Sequence, residues 1–128
     1  MKFAHARIVT NDVPRLAKFY QAVTGMKPQG DDRYVEFHAA ANLTLAISSQ
    51  RTIEATSAGA TTPAANRSVI MDFEVDDVDK ERARLGRLVN EFVLEPTTQP
   101  WGNRAMLFRD PDGNLINVFA AVRTPAPA

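Results

Sequence analysis

The chain of 128 residues carries fifteen basic and fifteen acidic side chains, and 45% of its residues are hydrophobic. This length fits one compact domain or two small packed halves, and the charge balance excludes a global attraction to nucleic acid or to an anionic membrane. No window approaches the roughly 20 apolar residues of a membrane span, and the lack of cysteine excludes disulfides and thiolate sites. Because the N-terminal MKFAHARIVT also lacks a signal-peptide core, we expect a cytoplasmic protein with no nucleic-acid or membrane partner.

Strand and helix patterns alternate along the first half of the chain. FAHARIV, residues 3–9, predicts a strand, and the more polar of its two faces carries His5 and Arg7. An N-cap at Asn11 or Asp12 predicts a helix that continues to about Thr24 and is ended by Gly25. RYVEFHA and NLTLAISS predict two more strands, which the short AAAN connection joins.

The second half repeats this order. SVIMDFEV predicts a strand, and Asp76 and Asp77 then cap a helix that ends near Leu88 or Asn90. EFVLEP, NRAMLFR and LINVFAA predict the remaining strands, with a DPDGN turn between the last two. The helix start Asn-Asp-Val recurs as Asp-Asp-Val about half a chain later, which suggests a duplicated βαβββ module. The predicted parts are a first module at 1–49, a linker of low order at 50–67, a second module at 68–122 and a frayed tail at 123–128.

HARIVTNDVPRLAKFYQAVTG, VIMDFEVDDVD and PWGNRAMLFRDPDGNLINVF together resemble the vicinal oxygen chelate superfamily, which includes glyoxalase I, the bleomycin resistance proteins and the extradiol dioxygenases. The resemblance implies an α+β fold of paired βαβββ modules, in which a curled mixed sheet surrounds a cavity. It also implies a homodimer with a small-molecule ligand in the cavity.

Metal-dependent members of this superfamily take their ligands from the first and last strands of each module. The resemblance carries these ligands onto His5, a position near Ala46, Ile70 and Asn117. Only the first is a typical donor, and His5 with a neutral amide is too little for a divalent ion. We therefore expect no cofactor; a divalent metal at His5 with an atypical ligand set is the alternative.

The strands' polar faces supply the candidate ligand contacts. Arg7 and Asn117 lie on these faces, Phe119 shares the face of Asn117, and Trp101 could act as a lid. Asn117 could also bond to backbone or to His5, and Arg7 could pair with a carboxylate such as Glu36. Aromatic and histidine side chains of the second strand are expected to pack in the sheet or at an interface: Tyr34, Phe37 and His38.

Three functions remain open at this stage. The first is a metal-free protein that sequesters or processes an amphipathic organic ligand. The second is a metal-dependent lyase, isomerase or dioxygenase, and the third is an isomerase that uses His5 as a catalytic acid or base with Glu36, Asp72 or Glu74. Nucleophilic catalysis is not expected, because there is no cysteine and no Ser-His-acid spacing stands out.

Overall fold

The architecture follows from one unit, a strand, a helix and three more strands, that occurs twice. The structure, a computed structural model, describes residues 1–40 and 43–121. The chain divides into two compact units, of which the first is Met1–Asn66 and the second begins at Arg67. Each unit has a four-stranded mixed sheet whose first strand is parallel to its last, with the orders β1-β4-β3-β2 and β5-β8-β7-β6. The expected α+β fold of paired βαβββ modules is confirmed.

The elements of the first unit are β1 (Ala6–Thr10), α1 (Val13–Thr24), β2 (Gln29–Gly30), β3 (Tyr34–Ala40), β4 (Leu43–Ser49) and α2 (Gln50–Ser57). Those of the second unit are β5 (Ile70–Glu74), α3 (Val78–Leu85), β6 (Phe92–Thr98), β7 (Asn103–Arg109) and β8 (Leu115–Ala121). No helix within residues 1–40 and 43–121 has the length and apolar content that a membrane crossing requires.

Helix α1 covers one face of the first sheet. The side chain of Asp12 accepts a hydrogen bond from the backbone N–H of Arg15, and Gly25 ends the helix in the left-handed conformation, as predicted. The apolar stripe of the helix is buried, and the ring of Tyr20 packs against that of Phe37 on β3. Because side chains alternate along a strand, this packing leaves the opposite face of the sheet to the polar residues.

Helix α3 covers one face of the second sheet, although it is short and mostly polar. It buries Val78 and Leu85, and ion pairs tie it to the strands beneath. Arg82 binds Glu95 of β6 at 2.6 Å and stacks on a ring of the same strand, while Arg104 of β7 binds Asp79 at 2.8 Å. These contacts fix α3 on one face of the second sheet, so the helix does not cover the opposite face.

Two elements were missed by the sequence analysis, the short strand β2 and a helix. The segment 50–67, which we expected to be a linker of low order, begins with helix α2. The hydroxyl oxygen of Ser49 caps this helix by accepting from the backbone N–H of Arg51, but no residue of the helix is buried. The last two residues of the AAAN connection and the predicted tail lie outside the described residues.

Candidate functional site

The polar face of the first sheet is the side opposite α1. Strand pairing places Arg7 of β1, Ala46 of β4 and Glu36 of β3 in one row across this face. The neighbouring rows pair Tyr34 with Ser48 and His38 with Thr44. The face therefore carries a cation, a carboxylate, an imidazole and several hydroxyl groups on adjacent strands.

Glu36 is the centre of a hydrogen-bonded chain on this polar face. The hydroxyl of Tyr34 donates to Oε2 of Glu36 at 2.5 Å, and Nε2 of His38 lies 3.2 Å from Oε1. On the other side of the imidazole, Oγ1 of Thr44 lies 3.2 Å from Nδ1. The bond to Glu36 raises the pKa of Tyr34, because it stabilises the neutral phenol, and partial burial adds to this effect.

Arg7 and His5 are not members of this chain of hydrogen-bonded side chains. Arg7 is exposed, and it forms no ion pair with any carboxylate in residues 1–40 and 43–121; the expected pairing with Glu36 is not made, since Glu36 binds Tyr34 and His38. His5 is exposed and immediately precedes β1, and no described residue hydrogen bonds to its ring. The guanidinium thus remains available for an anion, and a role of His5 in catalysis stays a prediction.

On the polar face of the second sheet, the amide side chain of Asn117, in the middle of β8, has a hydrogen-bond partner. Asn117 lies directly opposite Asp72 of the parallel strand β5, and its Nδ2 donates to Oδ1 of Asp72 at 2.9 Å. An ionised carboxylate only accepts hydrogen bonds, so the amide nitrogen must point to Asp72 and Oδ1 of Asn117 is left as an acceptor. The partner observed within the second unit is Asp72, which is neither of the two partners that the sequence suggested.

Apolar side chains flank this amide–carboxylate pair. Phe119 and Leu107 are half-buried, and the pairing of β8 with β5 and β7 places both beside Asn117 on the same face. Trp101 lies in the turn between β6 and β7 and is 75% exposed. The face of the second sheet therefore offers a hydrogen-bond acceptor and a carboxylate within an apolar surround.

The DPDGN turn holds β8 in this register. Asp110 is only 5% exposed, and its carboxylate accepts from the backbone N–H groups of Asp112 and Asn114 and from the side chain of Asn114, at 2.8–2.9 Å. Gly113 adopts a φ of 84°, which favours glycine. The turn has the chemistry that the sequence predicts, and it sets where Asn117 and Phe119 emerge.

The donors at the four positions implied by the resemblance do not fit a divalent ion. Ala46 and Ile70 have no donor, and the amide of Asn117 is engaged with Asp72. The strand register corrects one expectation: Asp72, not Ile70, lies opposite Asn117, whereas Ile70 pairs with Leu115. Even so, no three His, Asp or Glu side chains in the described part of the chain form a group that could hold a metal ion.

Sequence reasoning assigned a packing role to two side chains of the polar face of the first sheet, Tyr34 and His38. Asp72 was named only as a possible acid or base beside His5, and its pairing with Asn117 was not foreseen. The signal that could have found the first two is the alternation of the strands, which puts Tyr34 and His38 on the face opposite the buried Phe37.

The comparisons with known proteins agree with this architecture. A solved glyoxalase/bleomycin resistance protein/dioxygenase from Nocardioides is 22% identical, with a TM-score of 0.78 over 100% of this chain and 88% of that one. A family enzyme of the same description from Burkholderia phytofirmans PsJN is 15% identical, with a TM-score of 0.81 over 95% and 100%. A lactoylglutathione lyase from Agrobacterium tumefaciens is 21% identical, with a TM-score of 0.71 over 92% of each chain.

These likenesses show the fold, and the family itself is shown by sequence. No curated protein matches the chain. The family model described as the Glyoxalase/Bleomycin resistance protein/Dioxygenase superfamily matches residues 2–118, which is most of its length. The chain therefore belongs to the glyoxalase/bleomycin resistance protein/dioxygenase superfamily.

Proposed function

We propose that the protein binds a small amphipathic organic ligand on the polar faces of its sheets without a divalent metal. One observation carries this proposal: no three His, Asp or Glu side chains within residues 1–40 and 43–121 form a group that could hold a metal ion. Zinc needs about three protein ligands and magnesium needs several oxygen atoms, and the pair of Asp72 and Asn117 alone would leave an ion underliganded.

The chemistry of the faces supports a ligand that is both apolar and anionic. Arg7 lacks a carboxylate partner among the described residues, and a guanidinium binds carboxylates and phosphates in a two-pronged geometry. On the second sheet, Oδ1 of Asn117 accepts from a ligand hydroxyl or N–H, and Phe119 offers a ring face. In the second unit, Trp101 is exposed on its turn and can cover a ligand bound to that sheet as a lid. In the first unit, His5 is a further contact near Arg7 for a ligand bound there.

Thermal denaturation in the presence of candidate ligands tests this function. The screen contains aromatic antibiotics, α-keto acids and thioesters, each paired with a neutral analogue that lacks the anionic group. A ligand at one hundred times its Kd stabilises the folded state by about 2.7 kcal/mol, which raises the melting temperature by several degrees. We expect anionic aromatic compounds to raise it and their neutral analogues to raise it less.

A matched pair of variants connects the effect to the site. Arg7→Gln should abolish the preference for the anionic member of each pair, whereas Arg15→Gln, which removes an exposed cation from α1, should preserve it. Stabilisation by no compound, or an equal loss in both variants, would contradict the binding proposal. A requirement for an added divalent ion would instead favour a metal-dependent lyase, isomerase or dioxygenase.

The assembly is part of the same proposal. The superfamily resemblance implies a homodimer, and sedimentation measurements on the purified protein test it. We expect a single species of twice the chain mass, and a species of one chain mass at micromolar concentration would contradict it.

A further inference from the structure

We propose that the first unit carries an acyl-transfer site that needs no metal, with Thr44 as the nucleophile, His38 as the general base and Glu36 as the residue that orients the imidazole. The hydroxyl, the imidazole and the carboxylate form a continuous chain, with 3.2 Å between Oγ1 of Thr44 and Nδ1 of His38 and 3.2 Å between Nε2 of His38 and Glu36. A hydroxyl bonded to a base that an acid orients is recognised by geometry and not by sequence order.

The hydrogen bonds of the chain select one arrangement of protons when the imidazole is neutral. Ionised Glu36 can only accept, so it receives the hydroxyl proton of Tyr34 at Oε2 and the Nε2–H of His38 at Oε1. Nδ1 of His38 then has a free lone pair, and the hydroxyl of Thr44 must donate to it. This arrangement directs the proton of Thr44 toward a base, which is the state that a nucleophilic hydroxyl requires.

The site is accessible, and two paired strands carry its residues. The side chain of His38 is 49% exposed, so a small substrate can reach it. His38 and Thr44 are cross-strand partners in the β3–β4 ladder, and the pairing shifts directly after His38. Shifts of this kind re-aim side chains and are frequent beside active sites. Tyr34 lies on the same face, and its hydroxyl group holds the second carboxylate oxygen of Glu36 by a hydrogen bond.

The reaction that follows is the transfer of an acyl group from a small activated ester. Oγ1 of Thr44 forms a bond to the acyl carbon while its proton moves to Nδ1 of His38. The bond to the leaving alcohol or phenol breaks, and the leaving oxygen takes the proton from His38. A water molecule then attacks the acyl-threonine by the same route and releases the carboxylic acid. This activity does not depend on the ligand binding proposed above, because it involves neither Arg7 nor the second sheet.

Acylation by p-nitrophenyl acetate tests the proposal directly. Release of p-nitrophenol is followed by absorbance, and the trapped protein is digested with trypsin. Thr44 falls in the peptide of residues 34–51, which contains no lysine, and fragmentation of this peptide separates an acetyl group on Thr44 from one on Tyr34. We expect a burst of product and an acetyl group on Thr44. Acetylation at lysines alone, with none on this peptide, would overturn the proposal.

Variants separate the chemistry from folding. Thr44→Val should abolish the acetyl-peptide, Thr44→Ser should retain it, and the control Thr52→Val on exposed α2 should match the unchanged protein. His38→Asn should slow acylation at least tenfold, since general bases contribute factors of about 100–10,000. Equal labelling in Thr44→Val and the unchanged protein would refute the assignment, whatever the stability of the variants.

The role of Glu36 as a positioning residue needs its own measurement. In the unchanged protein, imidazole nitrogen chemical shifts should show His38 with its proton on Nε2. Glu36→Gln should slow acylation and mix the two tautomers, and combining it with His38→Asn should cost no more than His38→Asn alone, because residues that act as one unit are not additive. An unaltered tautomer together with additive losses would show that Glu36 does not act through His38.

Discussion

The carboxylate of Asp110 should be the most important single polar group for the stability of the second unit. It is 5% exposed and accepts three hydrogen bonds, two from backbone N–H groups and one from the side chain of Asn114. Hydrogen bonds to a charged group contribute about 1.5–3 kcal/mol each, and a buried N–H left without an acceptor costs about 1–3 kcal/mol. Two of these donors belong to Asn114, which is itself buried, so we expect Asp110→Ala to cost about 3–5 kcal/mol in total.

Two further variants in the same turn give this prediction its control. Asp110→Asn keeps an oxygen for the backbone N–H groups but places a second amide nitrogen next to that of Asn114, where two donors face each other. We therefore expect the free energy of unfolding to fall by about 1–2 kcal/mol. No described residue hydrogen bonds to the buried Oδ2 of Asp112, so Asp112→Asn should change stability by less than about 0.5 kcal/mol or improve it. Urea denaturation followed by circular dichroism measures all three. Equal losses in Asp110→Ala and Asp112→Asn would refute the reasoning.

Three more predictions address the polar faces and the core. The hydrogen bond to Glu36 raises the pKa of Tyr34 in the folded protein. The stability that this bond contributes should therefore be fully present below the unfolded pKa of 10.0 and be lost as pH rises through the folded pKa. Urea midpoints that fall equally with pH in the unchanged protein and in Tyr34→Phe would contradict this. A double-mutant cycle with Asp72→Ala and Asn117→Ala should give a coupling of about 0.5–1.5 kcal/mol, and additive losses would mean that the pair does not interact in solution. Phe37→Ala should cost about 3–5 kcal/mol in urea denaturation because the ring is 0% exposed, and a loss below about 1 kcal/mol would show that its packing is misassigned.

The sequence predicted the parts of the fold in which local chemistry and tertiary packing agree. Strands β7 and β8 have the predicted bounds, because clear alternation and a turn with Asp, Pro and Gly at defined positions mark their ends. The caps of α1 were predicted for the same reason. Helix α2 was missed because it buries no residue, so its sequence needs no apolar stripe and shows none.

The candidate site was harder to predict because its contacts cross between strands. Asn117 and Asp72 are 45 residues apart, and only the parallel pairing of β5 with β8 makes them neighbours. The partnership of His38 with Thr44 depends on the register of β3 against β4, which shifts directly after His38. Alternation identifies the face of the sheet on which a side chain lies. It does not tell which residues of neighbouring strands lie opposite each other, and this pairing decides the hydrogen-bond partners.

Our central proposal is that the protein binds its ligand without a divalent metal, because no three His, Asp or Glu side chains among the described residues group together. Equilibrium dialysis of the purified protein against zinc, nickel, cobalt and manganese, followed by elemental mass spectrometry, tests it most directly, with His5→Ala as the matched variant. We expect far less than one ion per chain and no difference between the two proteins. One tightly held ion per chain that disappears in His5→Ala would contradict the account.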